Sequence, residues 1–415
     1  MHHLCLMLQL AASPWQTAHD NAYALLHQGK FVEAKSAFEA ALPLARQQPP
    51  SETALASTLN SLGFVALRDG KLTDARRRFE EALEAMRAVP ASGPSPAIIE
   101  ANLGQAFWQS GDFAGAERHL KRAITISSAH RPVGDPATAQ LETILAGIIV
   151  DAGRIEEAIS ILKGARAHLL VHLPPADTAV ITNALRLARA LSFAGHLEEA
   201  RALMVETEPL TAGTGAHVEA LALLGDIYRF QFDFARAVPL LRKALAQARA
   251  LGDRNAQFPP LLSLALVDIG EGRIKLAEIG IREALAILDE RYGPRHPVRA
   301  NALIHLAFVR SQQGFHQSAI GDLDEASAIL ESYASNTPHD WTMQLFIRAA
   351  AELGLGNKSA HDRFAREAYS SVDAVPGSEL AAILQSYTLL LRKIDPKAAK
   401  SADRQSQALL KTLRP

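Results

Sequence analysis

His168 and His172, four residues apart, are the first side chains whose type and spacing bear on chemistry. On a helix that interval puts both imidazoles on one face, the minimum for holding a metal ion. No further ligands stand nearby in sequence to complete a site, so the pair reads as the polar end of a helix. His19, Tyr23 and His27 make a second ladder of the same interval, and it belongs with the binding residues below. Gly354-Leu355-Gly356-Asn357-Lys358-Ser359 has the residue types of a phosphate-cradling loop, but Lys358 does not directly follow the second glycine and no strand pattern precedes it. It reads as a turn between helices. The GxSxG, HExxH and GxxxxGKS/T patterns do not occur in the sequence. The expectation is therefore no catalytic residue, no metal site and no cofactor.

Bulk properties narrow the function classes. At roughly 150 residues per domain, 415 residues would make about three units unless one repeating architecture absorbs them all. Alanine supplies 75 residues and 48% of the chain is hydrophobic, which fits an ordered, helix-rich protein. Lys plus Arg (43) balance Asp plus Glu (44), so no overall field draws the chain to nucleic acid or to an anionic membrane. The one cysteine, Cys5, excludes an internal disulfide framework, a Cys-rich zinc site and a CxxC redox centre. No apolar run reaches the roughly 18 residues of a membrane span. Leu4 to Ala12 is a short apolar stretch preceded only by His2 and His3, so an apolar helix edge and a cytoplasmic location are expected. Export to a periplasmic or extracellular space is the alternative.

Internal repetition decides the fold. Gly29, Gly70, Gly111, Gly153, Gly195, Phe232, Gly272 and Gly314 recur at intervals of 37 to 42 residues. Five residues after each stands an alanine: Ala34, Ala75, Ala116, Ala158, Ala200, Ala237, Ala277 and Ala319. At the chain's own alanine frequency that coincidence has a chance on the order of 10⁻⁶, so the period is real. Seven residues before the anchors lie Ala22, Gly63, Gly104, Ala146, Ala188, Gly225, Ala265 and Ala307, all minimal side chains. Twelve after them, alanine fills every position except Thr207. Nine after them comes a large apolar residue: Phe38, Phe79, Leu120, Leu162, Met204, Leu241, Ile281 and Leu323. A helix A capped by a left-handed glycine, then a helix B crossing it closely at the small residues, accounts for each position.

This pattern resembles the tetratricopeptide repeat, carried by Leu62-Gly63, Leu103-Gly104, Leu224-Gly225 and Tyr228. The longer period, with Tyr292-Gly293-Pro294-Arg295-His296-Pro297, resembles the repeats of kinesin light chains and their bacterial relatives. HEAT or armadillo repeats have a similar period but not this placement of small residues. The resemblance implies an all-α, right-handed superhelical solenoid of antiparallel helix pairs, about nine repeats plus a C-terminal helical cap. Residues 1–16 form an N-terminal segment, 17–335 eight repeats, 336–375 a degenerate ninth and 376–415 the capping helices. A cap is needed because the last repeat would otherwise expose its stacking face.

In such a solenoid the generic binding surface is the concave layer of A helices. The motif's groove positions, thirteen, ten, six, three and two before each anchor, pick out candidates in every repeat. They are His19, Tyr23 and His27; Asn60, Phe64 and Arg68; Gln105, Trp108 and Gln109; and Thr143. Arg189, Phe193, Asp226, Arg229, Phe230, Phe308 and Gln312 follow in the later repeats. Large apolar groups on a concave surface point to a partner, the competing reading being burial against neighbouring A helices. The arginines suit carboxylates, unless they pair internally, as Arg229 with Asp226 or Glu219. The function expected is a non-enzymatic scaffold binding another protein or a peptide segment, extended or helical, in this groove. A regulatory peptide sensor using the same groove, and a solenoid with an accessory enzymatic activity, are the alternatives. Nothing in the sequence specifies the oligomeric state.

Overall fold

A computed structural model describes residues 13–49, 52–89, 96–332, 338–375 and 377–412. The apolar run Leu4 to Ala12, and with it the question of an export signal, lies outside the described residues. Among the described residues the regular structure is entirely helical. The first compact unit, Met1–Arg131, contains three pairs: α1 (Pro14–His27) with α2 (Phe31–Ala45), α3 (Ala54–Arg68) with α4 (Leu72–Met86), and α5 (Pro96–Gln109) with α6 (Phe113–His130).

The second, Pro132–Pro415, begins with α7 (Pro136–Asp151) and α8 (Ile155–His172), then α9 (Thr178–Phe193) and α10 (Leu197–Thr207). It continues with α11 (His217–Phe230) and α12 (Phe234–Ala250), α13 (Arg254–Gly270) and α14 (Ile274–Tyr292), and α15 (Pro297–Gln312) and α16 (His316–Ser332). α17 (Pro338–Gly354) with α18 (Lys358–Ser370) form the ninth pair of the chain, and α19 (Gly377–Ile394) with α20 (Pro396–Thr412) close the unit. The short interval between Gly195 and Phe232 falls on α10, which has 11 residues and runs into a 3₁₀ turn, Glu208–Thr211.

The turns are built as the spacing predicts. Each anchor has positive φ, from 59° at Phe232 to 88° at Gly314, and Gly356 repeats the conformation at 85° in the ninth pair. In all nine turns the residue after the anchor donates its N–H to the carbonyl five residues back, as Lys71 to Ala66 (2.9 Å) and Asp233 to Tyr228 (2.9 Å). That bond satisfies a carbonyl the helix end would otherwise leave open. Phe232 is the only non-glycine residue with positive φ among the described residues.

Packing follows the same register. All eight alanines five residues after the anchors, and all eight large residues nine after them, have no exposed surface. Where the A helix carries glycine opposite such a knob, the approach is closer still. A Cβ on Gly225 would stand 2.8 Å from Leu241 Cδ2, and Gly104 likewise leaves no room beside Leu120.

The A helices also pack on one another: α1 on α3 and α3 on α5 in the first unit, α7, α9, α11 and α13 in series in the second, and α15 on α17. Successive B helices make no comparable contact, so within each unit the A layer is the inner, concave side.

Candidate binding surface

In the first unit the concave stripe is tied together at two points. Trp15 Nε1 donates to Thr58 Oγ1 at 2.9 Å, joining α1 to α3, and Asn102 Nδ2 donates to Asn60 Oδ1 at 2.9 Å, joining α5 to α3. From the asparagine pair the two stripes run on in step: Phe64 and Arg68 on α3, Gln105 and Gln109 on α5. Phe64, Gln105, Trp108 and Gln109 are half-buried, while Tyr23 and Arg68 are exposed. Arg68 leans over the Phe31 ring, its guanidinium 5.2 Å from the centroid.

His19, expected among the groove residues, is half-buried. Its ring packs against Trp15, Tyr23 and the core residue Phe38, with centroids 5.2, 6.1 and 5.3 Å away, and burial lowers its pKa. His27 stays exposed, edge-on to Tyr23 at 4.7 Å.

The second unit's concave face is charged, and its charges are mostly paired. Arg189 reaches Glu219 on the next A helix at 2.7 Å, and Arg229 pairs with Asp226 at 2.7 Å while stacking over Phe230. Phe193 and Phe230 are half-buried. Two expected groove residues are instead interior. Phe308 is 2% exposed and belongs to the core around α15 and α17. Thr143, 3% exposed, donates to the Ala139 carbonyl and accepts from Asn183 Nδ2 at 3.0 Å. Both lie where neighbouring A helices close over the position. Gln312 is half-buried, and its backbone carbonyl accepts from Lys393 Nζ on α19 at 3.1 Å.

Three ionisable residues at the A layer escape the groove register. Arg186 sits one turn before Arg189, and desolvation, with Arg189 adding to it, lowers its pKa. His305 on α15 is held neutral by desolvation, its pKa down at about 3, with His339 pushing the same way and Asp340 opposing. Both occupy the position nine before their anchor, on the same helical stripe as the positions thirteen, six and two before it. Glu100 on α5 is 1% exposed and is held by His119 Nδ1 at 2.7 Å and Arg122 at 3.0 Å. Its only sequence signal is a carboxylate inside the apolar run Ala97-Ile98-Ile99-Glu100-Ala101.

The histidine pair His168 and His172 lies at the C-terminal end of α8, with His168 against Gly134. Among the described residues no group of three or more His, Cys, Asp or Glu is placed to hold a metal ion. Gly354 to Ser359 is the α17–α18 turn, with Asn357 Nδ2 on Glu352 at 2.8 Å. No helix among the described residues is long and apolar enough to cross a membrane.

Nine repetitions of one capped turn, each followed by the same buried alanine register through the eighth pair, identify the repeat, and family comparison agrees. Residues 15–217 match the MalT-like TPR region, and residues 220–254 match the tetratricopeptide repeat. The chain is a tetratricopeptide repeat protein. A search of curated proteins finds no relative.

Among solved structures, this TPR protein is similar to the Rap conjugation gene regulator of plasmid pLS20 in complex with the Phr* peptide. That match has 13% identity and a TM-score of 0.57, over 76% of this chain and 95% of that one. A kinesin light chain-type protein of Podosopora anserina with TPR-like repeats matches at 19% identity and TM-score 0.41, over 47% of this chain and 93% of its own. A tetratricopeptide repeat protein of Parabacteroides merdae matches at 14% identity and TM-score 0.47, over 70% and 98%. At such identities the likeness concerns the fold.

Proposed function

We propose that the protein is a non-enzymatic interaction scaffold that binds a polypeptide segment along the concave face of its A helices. The observation that carries this reading is the aromatic ladder of the first unit. Tyr23 is 46% exposed, and Phe64 and Trp108 keep part of their surface open on the inner layer, where a fold needs no apolar side chain. Such groups serve as anchors for a partner's apolar side chains. Arg68 adds a cation at the edge of the same stripe. The Rap regulator, which shares the helix-pair fold, is complexed with a peptide, and the same class of partner is carried over here.

The test is binding by variants that remain folded by circular dichroism and melting. Trp108→Ala is expected to weaken binding by about 2 kcal/mol or more with little dependence on salt, as for an interface anchor. Arg68→Ala is expected to slow association and to flatten its salt dependence. A partner that binds the folded double variant as tightly as the native chain would rule out the concave face and direct attention to the convex B helices.

A further inference from the structure

The helix that closes the chain, α20, carries a charge pattern unlike that of the helices before it. Residues 1–391 hold 36 Lys and Arg against 42 Asp and Glu, whereas residues 392–414 hold seven against two. On α20, Lys397, Lys400 and Arg404 follow one another at intervals of three and four, so they form one stripe along the helix. All three are exposed, while Ala399, Ala402 and Ser406 are buried on the other side, where α20 packs on α19.

Elsewhere helical arginines pair along their own helix, as Arg77 with Asp74 and Glu81, or Arg282 with Glu278. Among the described residues no carboxylate comes within ion-pairing distance of Lys397, Lys400 or Arg404. Arg404 Nε instead donates to the Lys400 carbonyl at 3.3 Å. Asp395, the acid just before the stripe, is spent on capping the helix. Its Oδ1 accepts from the backbone N–H of Lys397 at 2.8 Å and of Ala398 at 3.1 Å. Like charges three and four residues apart repel. Lys397, the second residue of α20, also sits where the helix dipole disfavours a cation. The stripe therefore weakens the helix that bears it, and an anion from outside the chain turns that cost into attraction.

The character of the face selects the kind of anion. The described side chains exposed on α20 include no aromatic and no large apolar group. A single strand of nucleic acid finds no stacking platform there, and a bilayer no apolar face to take up. Either would also bring a long run of negative charge against a chain whose other residues are net acidic. The stripe spans about 10 Å at 1.5 Å per residue. The same spacing of three and four on a second helix sets a carboxylate opposite each cation.

We infer that the outer face of α20 docks an acidic helical segment of a partner polypeptide, its carboxylates against Lys397, Lys400 and Arg404. Exposed ion pairs are individually weak, so the contact is fast and salt-sensitive. It is separate from the concave surface and does not depend on that reading.

The experiment is fluorescence anisotropy of the intact chain with a labelled helical peptide of alanine and glutamate, the glutamates spaced by three and four residues. Binding is expected at about 20 mM salt and is lost by about 300 mM through screening. Replacing all three cations together, Lys397→Gln, Lys400→Gln and Arg404→Gln, should weaken it about tenfold. The melting temperature of that variant should hold or rise, because the repulsion is gone. The triple reversal Lys397→Glu, Lys400→Glu and Arg404→Glu should reject this peptide and bind its lysine counterpart.

A glutamine variant that binds the peptide as tightly as the native chain overturns the docking face. One that melts earlier overturns it too, by giving the cations a structural role in the cap. Single-stranded DNA or phosphatidylserine vesicles that bind more tightly than the peptide, through the same three residues, overturn the acidic polypeptide as occupant. Trp108→Ala, which tests the concave face, should leave this binding unchanged, so the two readings fail separately.

Discussion

Gly63 on α3 lies so close to the ring of Phe79 on α4 that a Cβ on the glycine would stand 2.6 Å from the ring carbon Cε1. The same relation recurs between Gly225 and Leu241, and it sets how near the two helices of a pair approach. Helix propensity alone favours alanine over glycine by about 1 kcal/mol. Phe79 has no exposed surface into which to retreat, and overpacking costs about 1–3 kcal/mol. Gly63→Ala is therefore expected to lower stability by about 1 kcal/mol net. Gly164 on α8 faces open space, and Gly164→Ala should raise stability by up to about 1 kcal/mol. Urea denaturation of both variants checks the pair; equal gains would mean that the helices of the second pair can part freely.

Phe232 holds a left-handed conformation that eight other turns give to glycine. The ring is 61% exposed and makes an edge contact with Phe234 at 6.3 Å, so little burial offsets the strain. A left-handed non-glycine residue costs about 1–2 kcal/mol. Phe232→Gly is expected to raise the melting temperature, and a fall would show that the Phe232–Phe234 contact outweighs the backbone.

Ala237, five residues after Phe232, has no exposed surface at the crossing of α11 and α12. Ala237→Leu should destabilise the array by about 1–3 kcal/mol, because the added methylenes force packed helices apart. An unchanged melting transition would place this alanine away from the crossing.

His305 gives the stability a pH dependence whose sign is fixed by the direction of its shift. Its folded pKa is down at about 3, well below the ordinary value of 6.5. The unfolded chain therefore takes up a proton that the folded chain refuses, and stability present above about pH 6.5 is lost as the pH falls toward 3. His296, lowered to about 4 by burial, contributes in the same direction. His305→Gln is expected to flatten the fall in stability between pH 6.5 and 4, measured by denaturation at each pH; a variant as steep as the native chain would locate the dependence in other groups.

The repeat itself was legible in the chain because it rests on local necessities. A left-handed cap selects glycine, a close crossing selects alanine, and a knob between them selects a large apolar side chain, all within one helix pair. The glycine and alanine intervals therefore set the turns and the buried stripe, and they put Phe232 at an anchor position where the structure shows a glycine's conformation. What the A layer leaves open to a partner depended on tertiary packing. Phe308 and Phe64 stand at the same register position, six before their anchors, yet one is core and the other half-open, because α17 packs on α15 and covers that site. Arg189 and Glu219 are thirty residues apart in sequence, and only the stacking of α9 on α11 brings them to 2.7 Å. The register encodes contacts within a pair; how closely successive inner helices approach is set by the summed packing of the stack, and that decides which side chains remain free to bind.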